Sequence, residues 1–230
     1  MGSLRNDVKD ILSKITADFG GGCGLSKASL MAYLIKRYKL KITVDIGVYR
    51  GRSLFPQALA HSRFSGGIVY GVDPWDKSEA MEYDNKKLKA EIENFVTTTD
   101  FQKVYEEVES FRRTYHFEHY CRLLREPSQD AINYFLENDV YFDLIHIDGN
   151  HDTQRVMDDV RLYLPRLNNN GFVIIDDISW DSVKPAYAAL HSTMSLIFER
   201  PGQDYAVFWK NSSRFENIVL KFILKFVGRE

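Results

Sequence analysis

Val44-Asp45-Ile46-Gly47-Val48-Tyr49-Arg50-Gly51-Arg52-Ser53 reads as an apolar strand that runs into a glycine turn and then into a helix. Glycine adopts positive φ at little cost and lets a ligand approach the main chain. Gly47 and Gly51 therefore suit a tight strand-to-helix turn with a small molecule lying against it. The spacing is G-x-x-x-G, not the G-x-G-x-x-G of dinucleotide folds, and no Gly-Lys-Ser/Thr follows as a phosphate loop requires. A ligand without a pyrophosphate fits this turn best.

Outward from this turn, Ser53 to His61 forms a crossover helix and Gly67-Ile68-Val69-Tyr70-Gly71-Val72-Asp73 is a second apolar strand ending in an acid. In doubly wound folds an acid at that position can accept hydrogen bonds from both ribose hydroxyls. Asp73 is placed for this, and Trp75, two residues on, offers an indole to an adenine face or packs as a core aromatic. At this point the chain resembles the class I S-adenosylmethionine-dependent methyltransferases, whose first motif has the acidic-x-Gly-x-x-x-Gly form. The resemblance implies S-adenosylmethionine over Gly47 and Gly51, with Asp73 on the ribose and Ser128 near the adenine. Asp45 is expected near the methionine amine, since a cationic ligand suits a carboxylate there. Ser128, in Glu126-Pro127-Ser128-Gln129-Asp130, also reads as a helix N-cap.

The second informative region is Phe142-Asp143-Leu144-Ile145-His146-Ile147-Asp148-Gly149-Asn150-His151, a buried strand that ends in polar residues. Such residues at the carboxyl end of a parallel strand are where ligands sit in open α/β sheets. Alternation puts Leu144, His146 and Asp148 on one face. His146 reads as a hydrogen-bonded structural histidine and His151 as the candidate for chemistry, while Asp152 can cap the helix that follows. Asn168-Asn169-Asn170-Gly171 reads as a turn, and Phe172 to Asp177 as an apolar strand ending in two carboxylates. Acids at a buried strand end need a cation, a donor or open water. Strand, Asp-Gly-x-His, helix, Asn/Gly turn, strand, Asp-Asp, in that order, resembles the macrocin-type sugar O-methyltransferases and, more distantly, the catechol-type metal-dependent enzymes. The match runs from about Val44 to Trp180.

The expected chemistry is therefore methyl transfer to an oxygen acceptor, with a sugar hydroxyl favoured by the resemblance. Asp148, Asp176 and Asp177 are expected to hold one hard divalent cation, magnesium by ligand type, and His151 to take the acceptor's proton. Asp148 thus counts among both the catalytic and the metal residues. An NAD-type oxidoreductase shares the strand, glycine turn and acid but needs the missing fingerprint. A non-catalytic cofactor-binding module is the third reading, since fold does not fix function.

Composition sets the frame: 230 residues, 44% hydrophobic and 27% charged, with a formal net charge of -2. That balance argues against nonspecific nucleic-acid binding. Cys23 and Cys121 form neither a metal pair nor a disulfide framework, and the N-terminus has no apolar signal core. A cytoplasmic protein without a transmembrane segment is expected. The architecture predicted over residues 1–230 is a single Rossmann-like domain, a doubly wound, mostly parallel sheet closed by a C-terminal antiparallel hairpin. Two N-terminal helices (about Asn6–Ala17 and Ser26–Tyr38, within 1–40) precede it, and neither carries chemistry that the sequence identifies. Residues 76–119 are expected to form an inserted helical lid. A final helix within 213–230 is predicted to bury Phe215, Phe222 and Phe226 against the protein or a second subunit of a homo-oligomer.

Overall fold

The computed structural model describes residues 2–19, 22–200, 204–211 and 213–227. In chain order the elements are α1 (Gly2–Ser13), α2 (Leu25–Tyr38), β1 (Ile42–Ile46), α3 (Leu54–Ala60), β2 (Ile68–Val72), α4 (Lys77–Ala80), α5 (Lys89–Thr98), α6 (Phe101–Thr114), β3 (Cys121–Leu124), α7 (Ser128–Glu137), β4 (Phe142–Ile147), α8 (Thr153–Tyr163), β5 (Leu167–Asp176), α9 (Lys184–Thr193), β6 (Ser195–Arg200), β7 (Tyr205–Trp209) and α10 (Arg214–Val227). One seven-stranded sheet has the order β3-β2-β1-β4-β5-β7-β6. The first five strands run parallel, and β7 lies antiparallel to both β5 and β6.

The run of apolar residues in each central strand is explained by cover on both faces, as parallel sheets require. Phe172, Val173, Ile174 and Ile175 of β5 are all buried: Phe172 and Ile174 join the core under α1, α2 and α3, while Val173 and Ile175 join the core under α7, α8 and α9. β1 sits between β2 and β4, so the chain leaves it to one side and later returns on the other. That reversal opens a crevice at the carboxyl ends of the strands, where ligands of open α/β sheets bind. Among the described residues no helix is long and apolar enough to cross a membrane.

Several expectations are corrected at the edges. Helix α1 spans Gly2–Ser13, four residues ahead of the predicted start, although Val8, Ile11, Leu12 and Ile15 are buried as their spacing implies. The Asn168–Gly171 turn is absorbed into β5 as an irregularity. Pairing jumps from Phe142↔Leu167 to Leu144↔Phe172, with Asn170 at φ 63°. Helix α10 is opened by a reciprocal capping box, the Ser213 amide donating to Glu216 and the Glu216 amide to Ser213 Oγ. The face it buries carries Leu220 and Leu224, and Phe222 on the other side is 64% exposed. Phe222 lies two positions after Leu220, about 200° around the helix, so the two cannot share a face. The side chains of Phe215 and Phe226 fall outside the described residues, as do residues 201–203, where the sequence pattern Pro-Gly-Gln-Asp predicts the hairpin's turn.

Candidate active site

Four strand ends converge on one cavity. Gly47 after β1, Asp73 after β2, Asp148 after β4, and Asp176 and Asp177 at the end of β5 all line it, joined by Ser128, His151, Lys27 and Glu82. Gly47 has φ 87°, and a Cβ there would lie 2.0 Å from the Asp148 carbonyl oxygen, so only glycine lets the β1 and β4 loops meet. Gly51, at φ 84°, shapes the turn but does not line the cavity.

The Asp73 carboxylate is anchored by its own neighbourhood. Oδ2 accepts from the Tyr49 amide at 2.9 Å and Oδ1 from the Trp75 amide at 2.7 Å. Burial pushes its pKa up to about 6 even though the amides of Tyr49, Trp75 and Val48 pull it down.

Two expected cofactor contacts lie away from the cavity, and a third lines it without its expected capping role. Asp45 is fully buried, does not line the cavity, and spends its oxygens on Ser53 Oγ at 2.7 Å and His146 Nδ1 at 2.5 Å. An acid with both oxygens paired inside the sheet cannot reach an amine in the crevice. Trp75 is 2% exposed, packs on Tyr105, and donates its indole N–H to the Tyr49 carbonyl at 2.9 Å, so it supports the glycine turn from below. Ser128 does line the cavity, but it is the first residue of α7 and not its cap, and its hydroxyl donates to Asp159.

At the ends of β4 and β5 the acids form two adjoining groups with Asp148 in common: His146, Asp148 and Asp176, and Asp148, His151 and Asp177. Consecutive residues of a strand point to opposite faces. Asp176 and Asp177 both reach the site because the strand stops at Asp176 and Asp177 turns at φ 53°. The structural role read for His146 holds through its bond to Asp45, yet its Nε2 also faces Asp176 Oδ1 at 3.4 Å.

The sequence reading missed Lys27. Its ammonium, 4% exposed, pairs with Asp148 Oδ2 at 3.1 Å and contacts Asp176. Burial alone would lower its pKa, but the Asp148 carboxylate and its other anionic neighbours raise it above the ordinary lysine value. Asp148 in turn is held below the usual carboxylate range, the charge of Lys27 and bonding to His151 overcoming desolvation. Arg52, in the glycine turn, explains how a residue before β1 arrives here. It donates to the carbonyls of Leu12, Ile15 and Cys23, tying the start of α2 to the crevice.

His151 is gripped from the inserted segment between β2 and β3. Glu82 Oε1 accepts from both the His151 amide at 3.0 Å and ring Nδ1 at 2.9 Å. Nε2 is thereby aimed at Asp177 Oδ2, 2.9 Å away, and Asp148 Oδ1, 3.7 Å away. Burial works against the imidazolium, but bonding to Asp148, Asp177 and Glu82 carries its pKa well above the ordinary histidine value. The inserted segment docks through further bonds: Asn150 Nδ2 donates to the Glu79 and Met81 carbonyls, and Asp152 Oδ1 accepts from the Tyr83 and Asp84 amides. Asp152, expected to cap α8 through its side chain, instead holds the Tyr83 and Asp84 amides of the inserted segment.

Asp159 of α8, 2% exposed beside Ser128, is pushed up to about 7, burial outweighing its bond to Ser128. An acid whose folded pKa lies above its unfolded value stabilises the fold while protonated and loses that advantage as pH rises from the unfolded value of roughly 4. The loss is spread between roughly pH 4 and about 7, with an upper bound of about 4 kcal/mol at ~1.4 kcal/mol per pH unit. Asp159→Asn is expected to flatten this part of the melting-temperature profile between pH 5 and 8. A profile as steep as that of the parent protein refutes the assignment.

The family described as "Methyltransferase domain" matches residues 44–178, more than half of the chain. No curated protein matches it. Among solved structures, an O-methyltransferase from Bacillus cereus in complex with SAH is 14% identical with TM-score 0.60, over 90% of this chain and 91% of that one. SAH-bound PaMTH1 from Podospora anserina is 15% identical with TM-score 0.61, covering 90% and 88%. The O-methyltransferase NovP is 17% identical with TM-score 0.60, covering 82% and 81%. At these identities the likeness speaks for the fold.

Proposed function

We propose that this chain, which belongs to the methyltransferase-domain family, transfers the methyl group of S-adenosylmethionine to a hydroxyl oxygen of a small-molecule or glycan acceptor, assisted by a divalent cation. The observation that carries this reading is the convergence of Asp148, Asp176, Asp177 and His151 in the cavity that Gly47 and Asp73 also line. The methyltransferase fold and its SAH-bound structural neighbours support the donor. The donor's ribose belongs at Asp73 and its sulfonium over Gly47, with Ser128 toward the adenine.

The residues present suit a hard cation. Asp148 shares one group with His146 and Asp176 and another with His151 and Asp177; the carboxylates suit magnesium or manganese, and neither group offers the thiolate of a structural zinc site. Glu82 Oε2, buried in this region, has no hydrogen-bond partner among the described residues, and His151 Nε2 meets Asp177 as a close ionic contact without hydrogen-bond alignment. When bound, the ion lowers the pKa of an acceptor hydroxyl and orients it.

The remaining work falls to the protein's side chains. Glu82 orients the His151 ring, so Nε2 accepts the acceptor's proton as the oxygen attacks the methyl carbon. The carbon–sulfur bond breaks with its electrons on sulfur, leaving a neutral thioether. The lid segment around Glu79–Asp84, latched to Asp152, keeps water from the reacting atoms.

Asp73→Ala is expected to weaken S-adenosylmethionine binding by about 1.5 to 3 kcal/mol, the worth of a hydrogen bond to a charged group. Calorimetry measures this directly, and unchanged affinity would place the ribose elsewhere. The same instrument separates the reading from an oxidoreductase, because NAD should not bind. Turnover is tested by screening nucleotide sugars and glycans for cofactor-dependent mass gain of one methyl. No gain with any hydroxylated acceptor, despite cofactor binding, favours a non-catalytic module.

A further inference from the structure

The Lys27 ammonium occupies the side of the acid centre where Asp148 Oδ2 and Asp176 Oδ2 come together. Nothing in the proton transfer uses it. It reaches across 121 positions of sequence to Asp148, and farther still to Asp176, a pair of carboxylates already assigned to a cation. A divalent ion on those oxygens sits at roughly 2.0 to 2.6 Å from each, depending on the ion. The ammonium, at hydrogen-bond distance from the same oxygens, cannot keep its place beside such an ion without strong like-charge repulsion.

We propose that Lys27 is a built-in competitor for the divalent ion: its ammonium neutralises Asp148 and Asp176 in the metal-free protein and must move off them when the ion enters. This rests on the divalent-cation reading above. Asp176 is buried and Asp148 is only 22% exposed at its side chain, and removing one partner of a buried pair leaves the other uncompensated. Lysine suits the task because its ammonium is a point charge on a flexible four-carbon stem, not the rigid fork of arginine. Lys27 itself lines the cavity, so its head group can swing into that space without unfolding α2. The other half of the centre, Asp148 Oδ1 with Asp177, faces His151 Nε2 and not the ammonium, so the competition by Lys27 is confined to the Asp148–Asp176 side. Lys27 thus sets the metal affinity and keeps the acid centre intact when no metal is bound.

The test measures metal binding and not turnover. Mn2+ alone is titrated into the parent protein, Lys27→Met and Asp148→Asn, with free ion read by electron paramagnetic resonance. Lys27→Met is expected to bind at least tenfold more tightly than the parent, and Asp148→Asn to lose binding. Without metal, Lys27→Met should melt at a lower temperature than the parent, and millimolar Mg2+ should restore it far more than it raises the parent. Equal or weaker Mn2+ binding by Lys27→Met overturns the competition and leaves the metal reading standing. No binding by any of the proteins overturns both. Should Lys27→Met fail to fold, the parent protein still answers through the 15Nζ resonance of Lys27. A shift of that signal as Mn2+-competent sites fill with Mg2+ supports displacement, and a signal unmoved when they are filled refutes it.

Discussion

Replacing Asp148 with asparagine is expected to lower kcat by about a thousandfold or more while leaving S-adenosylmethionine affinity within about threefold, since the several kcal/mol a bound cation gives the transition state disappear, ~1.4 kcal/mol being tenfold in rate. Asp148 is where every part of the acid centre meets. Its Oδ2 pairs with Lys27, its Oδ1 faces His151, and it belongs to both groups of candidate ligands. Asparagine keeps the shape but not the charge, so Lys27 is left with Asp176 as its carboxylate contact. Steady-state kinetics paired with calorimetry checks the split between turnover and cofactor binding. Excess EDTA should reproduce the loss in the parent protein. Full activity in EDTA removes the metal from the mechanism, and a cofactor affinity that collapses in Asp148→Asn would mean this acid belongs to the donor site.

His151→Ala is expected to cost roughly 10² to 10⁴ in kcat, the usual contribution of a positioned general base. The pH profile identifies the role more sharply than the rate does. Without a cation, Glu82, Asp177 and Asp148 hold the ring as an imidazolium above the ordinary histidine pKa, an ion on Asp148 and Asp177 would relax part of that pull, and an imidazolium cannot accept a proton. The rate should therefore rise with pH as the ring deprotonates, and His151→Ala should lose that limb along with the rate. The stability effect has the opposite sign. A histidine whose folded pKa is raised stabilises the fold fully below its unfolded value, roughly 6.5, and that stability drains away as pH rises through the folded value. The parent should thus melt at lower temperature where it works faster, and His151→Ala should lose both trends. Activity that survives in His151→Ala with its pH limb intact moves the base to another residue.

The alternation of apolar strands and amphipathic helices was legible in the sequence because it is local. A strand covered on both faces must be apolar throughout, as Phe172–Ile175 are, and a glycine turn or an acid at its end stands out against that background. The same locality made Gly47, Asp73, Asp148, His151, Asp176 and Asp177 recognisable, since each sits at a strand's carboxyl end where the parallel sheet opens toward a ligand. It could not tell an acid that faces the crevice from one that faces inward. Asp45 carries the same signature as Asp73, yet is claimed by Ser53 and His146 once β4 lies beside β1. Trp75 turns below the crevice for a similar reason, its N–H drawn to the Tyr49 carbonyl. Lys27 and Glu82 lay beyond any periodicity: they reach Asp148 and His151 across 121 and 69 positions, and one lysine in a helix or one glutamate in a charged insertion looks like a solvated side chain. Periodicity and turn chemistry depend on neighbours within a few residues, so the sequence by itself determined the strands, the order of their acidic ends and the family. Which buried charge meets which depends on the packing of distant segments, so it took the folded arrangement to bring a lysine from α2 and a glutamate from the segment between α4 and α5 to the acid centre.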